Sequence, residues 1–160
     1  MVKISPLNDK TQGEFEKLFK AYYDELDCDD DVPHLLEEYV LPDLKAGLIR
    51  IEIMQDDSEY AGFVIFQCDR IENEWCPREG WGDIREIYVI PSKRKNGLGK
   101  FLLYTAEMKL REDGTEKCYA LPSENSEGFF TACGYLKGNL YDEDLECFAY
   151  EKLNLNNKCK

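Results

Sequence analysis

Ile87-Tyr88-Val89-Ile90-Pro91-Ser92-Lys93-Arg94-Lys95-Asn96-Gly97-Leu98-Gly99-Lys100 decides how the rest of the chain is read. An apolar strand enters a short basic turn, the turn holds paired glycines, and helical spacing begins at once. Strand, glycine turn and helix N-terminus together make an anion site. Glycine lets the backbone approach a ligand closely, and the first N–H groups of a helix have no partner within it. The helix dipole adds roughly half a positive charge at that end. Lys93, Arg94, Lys95 and Lys100 bring full charges to the same turn, in a chain of formal net charge -13. The ligand expected there is a phosphate or pyrophosphate.

The chain has 160 residues, 43% hydrophobic and 33% charged, an ordinary globular composition for one domain, 1–153, with a polar tail, 154–160. No apolar run approaches the roughly 20 residues of a membrane helix. Met1-Val2-Lys3-Ile4-Ser5-Pro6 lacks the apolar core of a signal peptide, so a cytoplasmic protein is expected. The 33 acidic residues against 20 basic ones argue against nucleic acid and anionic membranes as partners, and suit a cationic small molecule. The seven cysteines include no Cys-x-x-Cys pair, and His34 is the single histidine. Neither a disulfide framework nor a metal site is expected; several of these thiols sit in apolar strands and read as small buried hydrophobes.

Working outward, Ile84–Ile90 is a strand and 97–112 a helix. Its apolar side carries Leu98, Phe101, Leu102, Ala106 and Leu110, and Gly114 closes it. Lys117–Leu121 is the next strand, 126–132 a short helix ended by Gly134, and 135–153 two strands broken near Asp142. Upstream, Val2–Leu7 reads as an edge strand. Thr11-Gln12-Gly13-Glu14 reads as a capping box for a helix over 11–26. Pro33 opens a second helix that Pro42 kinks before Lys45. Residues 48–54 and 60–66 read as a hairpin, and 69–83 as a polar loop with Trp75 and Trp81. The order is β-α-α-β-β-β-α-β-α-β-β. The strand–helix–strand unit over 84–121 implies a parallel right-handed crossover. The expected fold is therefore α/β (α+β), with a mixed central sheet and helices on both faces.

This order resembles the GNAT superfamily of acyl-CoA-dependent N-acetyltransferases. Arg94-Lys95-Asn96-Gly97-Leu98-Gly99 matches its pyrophosphate motif (Gln or Arg, two residues, Gly, one residue, Gly or Ala) in full. Ile87-Tyr88-Val89-Ile90-Pro91 is similar to its fourth strand, and Phe129-Phe130-Thr131-Ala132-Cys133-Gly134-Tyr135 to its late helix. The resemblance covers most of the chain and is sharpest over 84–112. It implies acetyl-CoA as cosubstrate. Backbone N–H groups from Lys95 through Asn96, Gly97, Leu98 and Gly99 to Lys100 would hold the pyrophosphate. The backbone of Ile87, Tyr88 and Val89 would pair with the pantetheine arm, and the acyl group would lie where this strand splays from 117–121.

Two departures stand out. The family's Asn after the fifth strand falls at Ser123, with Asn125 close by. The usual general-acid Tyr is Phe130, whose ring carries no proton to give a departing thiolate. Tyr135, Tyr141 or water would then serve, or the acid is dispensable, or activity is lost.

For direct acyl transfer an amine must lose its proton and a thioester carbonyl must be polarised. Glu86 shares a strand face with Ile84 and Tyr88, and a carboxylate within a core strand is costly unless it has a purpose or a partner. In diamine acetyltransferases of the family the matching acidic position contacts the cationic acceptor. Glu86 is therefore the first catalytic candidate, against an ordinary ion pair, and Asp83, at the mouth of the strand, is the second. Asp24, Glu25, Asp27, Asp29, Asp30 and Asp31 form an acidic loop where the family walls its acceptor site; as a solvated loop it would only aid solubility. Trp75 and Trp81 either line the acceptor site or anchor their loop. His34 reads as structural. Cys133 has no nearby His and is no nucleophile candidate. The expected function is N-acetyl transfer to a primary amine of a small cationic acceptor. The rivals are a silent acyl-CoA-binding or sensor domain, and a nucleotide-binding protein. The latter lacks the Gly-Lys-Ser/Thr that would supply a magnesium hydroxyl. A homodimer is compatible with the sequence, which does not fix the oligomeric state.

Overall fold

The computed structural model describes residues 1–155. The elements run β1 (Val2–Pro6), α1 (Gln12–Leu26), α2 (Val32–Leu35), a π-helical turn (Leu36–Val40), α3 (Leu41–Lys45), β2 (Arg50–Asp56), β3 (Glu59–Cys68), β4 (Gly82–Val89), α4 (Leu98–Glu112), β5 (Cys118–Ala120), α5 (Glu127–Ala132), β6 (Leu136–Asp142) and β7 (Cys147–Lys152). The strands hydrogen-bond in the order β1-β2-β3-β4-β5-β7-β6. β4 and β5 pair in parallel, whereas β1–β2, β2–β3, β5–β7 and β6–β7 pair antiparallel. This is the mixed sheet that the crossover reading requires. None of the described helices is long and apolar enough to cross a membrane.

The residues fall into two compact units. One holds Met1–Phe66 and Glu86–Leu103, the other Gln67–Arg85 and the chain from Tyr104 onward. In the first unit, alternation along the strands turns Ile51, Ile53, Phe63, Ile65 and Tyr88 onto one face, where Phe15, Leu18 and Phe19 of α1 and Leu36 cover them. Phe15 packs edge-on against Phe63 with ring centres 5.2 Å apart. Truncating either ring to Ala should cost about 3–5 kcal/mol. On the opposite face Gly62 lies against Leu102 of α4 and Met54, and a Cβ there would collide with the Tyr88 carbonyl. Helices thus cover both faces of these strands. In the second unit Gly82 admits Leu110 of α4 in the same way.

Several local expectations need correction. Thr11 makes no side-chain cap; Asn8 does that work, its Oδ1 accepting from the N–H of Lys10 at 2.8 Å and of Thr11 at 3.2 Å. The second helix runs on past Pro42 to Lys45, but not as one regular α-helix. The chain widens to a π-turn over Leu36–Val40 just before Pro42, which accommodates a residue with no N–H to return to the preceding turn. β4 starts at Gly82, so Asp83 lies inside the strand rather than at its mouth, and it is 2% exposed. The polar tail is held at its start. Leu155 is buried, and its N–H donates to the Glu116 carbonyl at 2.9 Å; residues 156–160, with Cys159, lie outside the described part.

Candidate active site

The glycine turn belongs wholly to the first unit. β4 ends at Val89, Pro91–Lys93 makes one 3-10 turn, and α4 begins at Leu98. Between them Lys95 and Gly97 both take left-handed backbone, at φ 64 and φ 79. Glycine adopts this conformation freely, whereas at lysine it is an uncommon outlier that clusters at ligand-binding turns. Nothing lies within 4 Å of where a Gly97 Cβ would be, so the turn opens onto free space. The Gly97 carbonyl accepts from the Phe101 N–H at 3.1 Å. Leu98 and Gly99 thus stand in the first turn of the helix, where N–H groups point out of the helix end. Lys95, Asn96 and Lys100 are exposed around them.

The other basic residues of the turn face elsewhere. Lys93 Nζ pairs with Asp56 at 3.0 Å. Arg94 folds back: its Nε donates to the Val89 carbonyl at 2.8 Å, its guanidinium lies 5.5 Å from the Tyr88 ring centre, and Nη2 meets Glu25 Oε2 at 2.6 Å. The β4–β5 ladder stops at the pair Ile84↔Ala120, while β4 runs on to Val89. Ile90 N–H bonds to the Ala61 carbonyl on β3 at 2.8 Å. By alternation, Ile87 and Val89 turn their backbone groups to the edge away from β3.

Glu86 stands half-buried on the β4 face that also carries Tyr88. Tyr23, from the last turns of α1, donates its hydroxyl to Glu86 Oε1 at 3.2 Å. Tyr22 packs at right angles to Tyr23, ring centres 5.2 Å apart, and 5.6 Å from Tyr88. Burial first, then the charge of Glu86, pushes both tyrosine hydroxyls well above their ordinary value. They keep their protons, so Glu86 sits in an aromatic wall that donates to it. Beyond α1 the acidic loop is partly self-satisfied. Asp24 pairs with Lys20 at 3.0 Å, and Asp31 Oδ1 caps α2 by accepting from the His34 N–H at 3.1 Å. The His34 ring packs edge-on against Tyr39, ring centres 5.9 Å apart. Asp27, Asp29 and Asp30 are exposed.

The second unit holds the other candidates. Asp83 is buried beside Tyr119 and Asp69. Burial, then the Asp69 charge, lifts its carboxyl from 3.8 to about 8, against the opposing pull of Arg85 and Tyr119. Its Oδ2 has no hydrogen-bond partner among the described residues. Asp69, by contrast, is saturated: it accepts from the Tyr119 hydroxyl, from Gln67 Nε2 at 2.7 Å and from the Arg78 N–H at 3.0 Å. Those bonds close the loop on itself. Trp81 carries the Arg78 guanidinium 4.3 Å above its ring centre, and the Trp75 carbonyl accepts from Gln67 at 2.8 Å. The Trp81 ring thus contacts a residue of its own loop, whereas at Trp75 the contact is through the backbone.

Tyr135 is fully buried and donates its hydroxyl to Glu107 Oε2 at 2.8 Å, with Cys118 Sγ at 2.9 Å. Lys152 closes that network on Glu107 Oε1 at 2.8 Å and on the Cys133 carbonyl at 3.1 Å. A hydroxyl so committed is a core tie, which weakens Tyr135 as a stand-in general acid. Tyr141 is 48% exposed and packs on Phe148. Phe130 is 3% exposed, its ring 5.2 Å from that of Tyr135. Ser123 is exposed, with its Oγ 2.9 Å from Ser126 Oγ, and Asn125 lies on the 3-10 turn Glu124–Ser126.

With this geometry in hand, known proteins are informative. The family model described as "Acetyltransferase (GNAT) family" matches residues 13–135. The chain belongs to the GNAT acetyltransferase family. As a GNAT chain it is an acyltransferase, and the match spans α1, β4, the glycine turn, α4, β5 and α5 together. No curated protein sequence matches it. Solved structures share its fold. One is the PaiA N-acetyltransferase of Thermoplasma acidophilum in complex with coenzyme A, with TM-score 0.71 and 16% identity over 96% of this chain and 99% of that one. Another is a GNAT acetyltransferase of Staphylococcus aureus Mu50, with TM-score 0.75 and 13% identity over 98% and 100%. A third, described as a predicted acetyltransferase from Clostridium acetobutylicum with acetyl-CoA, gives TM-score 0.75 and 16% identity over 89% and 95%.

The first unit of this GNAT chain brings Glu86, Tyr88, Arg94 and the glycine turn together. Tyr22, Tyr23 and Glu25 of α1 join them, and sequence reasoning singled out neither tyrosine as functional. The one signal was position: adjacent tyrosines in the last turns of a helix that enters an acidic loop. Their partner Glu86 lies 63 residues away from Tyr23, and no local pattern reveals such a contact.

Proposed function

We propose that this GNAT chain moves the acetyl group of acetyl-CoA directly to the primary amine of a small cationic acceptor, in the cytoplasm. The observation that carries the reading is the left-handed Lys95–Gly97 turn opening α4, on the strand that bears Glu86. The turn brings the N-terminal end of α4 and the exposed Lys95 and Lys100 to one place for a pyrophosphate. The outer edge of β4 at Ile87 and Val89 offers backbone groups to an extended pantetheine, once Arg94 yields the Val89 carbonyl. The relatives solved with coenzyme A and acetyl-CoA support this use of the fold.

In the reaction the amine nitrogen bonds to the acetyl carbonyl carbon, the carbon–sulfur bond breaks and the thiolate departs. The amine's proton goes to Glu86, directly or through one water. Phe130 offers the thiolate no proton, and the Tyr135 hydroxyl is held by Glu107, so solvent supplies it. Asp83, partly neutral near pH 8 by its surroundings, is second to Glu86 as a base. The aromatic wall and the loop carboxylates suit an ammonium-bearing acceptor. The net charge of -13 disfavours nucleic acid and anionic membranes.

A second reading, a silent acyl-CoA-binding domain, is favoured by Phe130 alone. Acetyl-CoA binding measured beside thiol release over a panel of primary amines separates the two. Binding with amine-dependent release supports the enzyme, and binding with none supports the silent domain. Absence of binding removes both.

A further inference from the structure

We propose that Tyr23 is the positioning residue for Glu86: its hydroxyl fixes the orientation of that carboxylate and holds it in the charged form. The inference rests on the reading of Glu86 as the group that receives the acceptor's proton.

Three observations carry it. The Tyr23 hydroxyl donates to Glu86 Oε1 at 3.2 Å, from a helix 63 residues away in sequence. The Tyr23 ring cannot swing freely: it packs 4.7 Å from Phe19, itself fully buried, and is crossed at 86° by Tyr22, 5.2 Å away. Burial and the Glu86 charge keep the hydroxyl protonated, so it remains a donor across the physiological range. Titratable groups near this carboxylate include Tyr22 and Tyr23 from α1, with Cys28 and Asp30 from the following loop acting on those tyrosines. Beyond Tyr88 lie Arg94 and Glu25.

A glutamate has three side-chain torsions, and leaving them unset disperses a base over geometries that cannot reach the amine. One hydrogen bond from a packed ring removes much of that freedom. It also favours the ionised carboxylate over the acid, which is the form that can take a proton.

The test compares wild type, Tyr23→Phe, Glu86→Gln and the double variant. One readout is thiol release with acetyl-CoA and 1,4-diaminobutane across neutral to alkaline pH. The other is carbon-13 NMR titration of the Glu86 carboxyl, which needs no acceptor. Tyr23→Phe keeps the ring and its packing. It should lower kcat by about tenfold, the worth of one hydrogen bond to a charged group, and leave acetyl-CoA affinity unchanged. It should also move the Glu86 midpoint, and the acidic limb of the rate profile, to higher pH. In the Glu86→Gln background it should do nothing further. A Glu86 midpoint that stays put, or losses that simply add, would overturn the proposal. Should Glu86→Gln itself keep full turnover, the base assignment fails and Tyr23 falls with it. Should Glu86→Gln be slow while Tyr23→Phe is not, the positioning role alone fails.

Discussion

Arg94 Nη2 lies 2.6 Å from Glu25 Oε2, so the first residue of the glycine motif is bound to the end of α1 rather than held out toward the turn. The same side chain caps the Val89 carbonyl. Both sides of the proposed chemistry, coenzyme turn and acceptor wall, therefore meet in one guanidinium.

Acetyl-CoA must compete with Glu25 for Arg94. The pair is about two-fifths exposed on each side, so its worth is at most about 1 kcal/mol. Glu25→Gln should tighten acetyl-CoA by up to about fivefold at low salt, an advantage that shrinks as salt rises. Calorimetric titration of both proteins at two ionic strengths checks this. Unchanged affinity would mean that Arg94 stays on Val89 and Glu25 throughout.

On the proposed mechanism Phe130 leaves the thiolate to be protonated by solvent. Phe130→Tyr adds a hydroxyl at a 3% exposed site, where an unsatisfied one costs about 1–3 kcal/mol of stability. Turnover should nevertheless rise about tenfold or more, roughly 1.4 kcal/mol of barrier. A variant that folds and turns over at the wild-type rate would show that solvent protonation is not limiting.

Asp83 sets a pH dependence of stability with a definite sign. Its carboxyl is raised from 3.8 to about 8 in the folded protein by burial and by Asp69. Between those values the folded state holds a proton that the unfolded state has lost, so this group makes stability fall as pH rises through the window. Below the window both states hold the proton, and above it neither does. Urea midpoints for wild type and Asp83→Asn should therefore diverge in favour of the variant between about pH 4 and 8 and run parallel outside it. Parallel curves throughout would place the Asp83 carboxyl in the ordinary range.

What could be read from sequence was local. Ile87–Val89, the paired glycines and the amphipathic run from Leu98 to Leu110 are neighbours in sequence, and hydrophobic period plus turn chemistry fixes such segments. Glu86 could be placed on the Tyr88 face because strand side chains alternate. What escaped depends on distant partners. Tyr23 meets Glu86, Arg94 turns to Glu25, and Asp83 meets Asp69 and Tyr119, each across a span that only the folded sheet closes. Some misses were local as well: Asn8 outcompetes Thr11 at the start of α1, where the simple rule of caps pointed elsewhere, and the π-turn just before Pro42 had no sequence signal.

If the turn from Arg94 to Lys100 seats the acetyl-CoA pyrophosphate, calorimetric titration of acetyl-CoA into wild type and Gly99→Glu will show it. A glutamate in the first turn of α4 suits the helix dipole, so the fold should hold, but its charge would face the pyrophosphate. Affinity should be lower by about tenfold or more in the variant, on the order of 1.4 kcal/mol. Equal affinities in the two proteins would contradict that assignment.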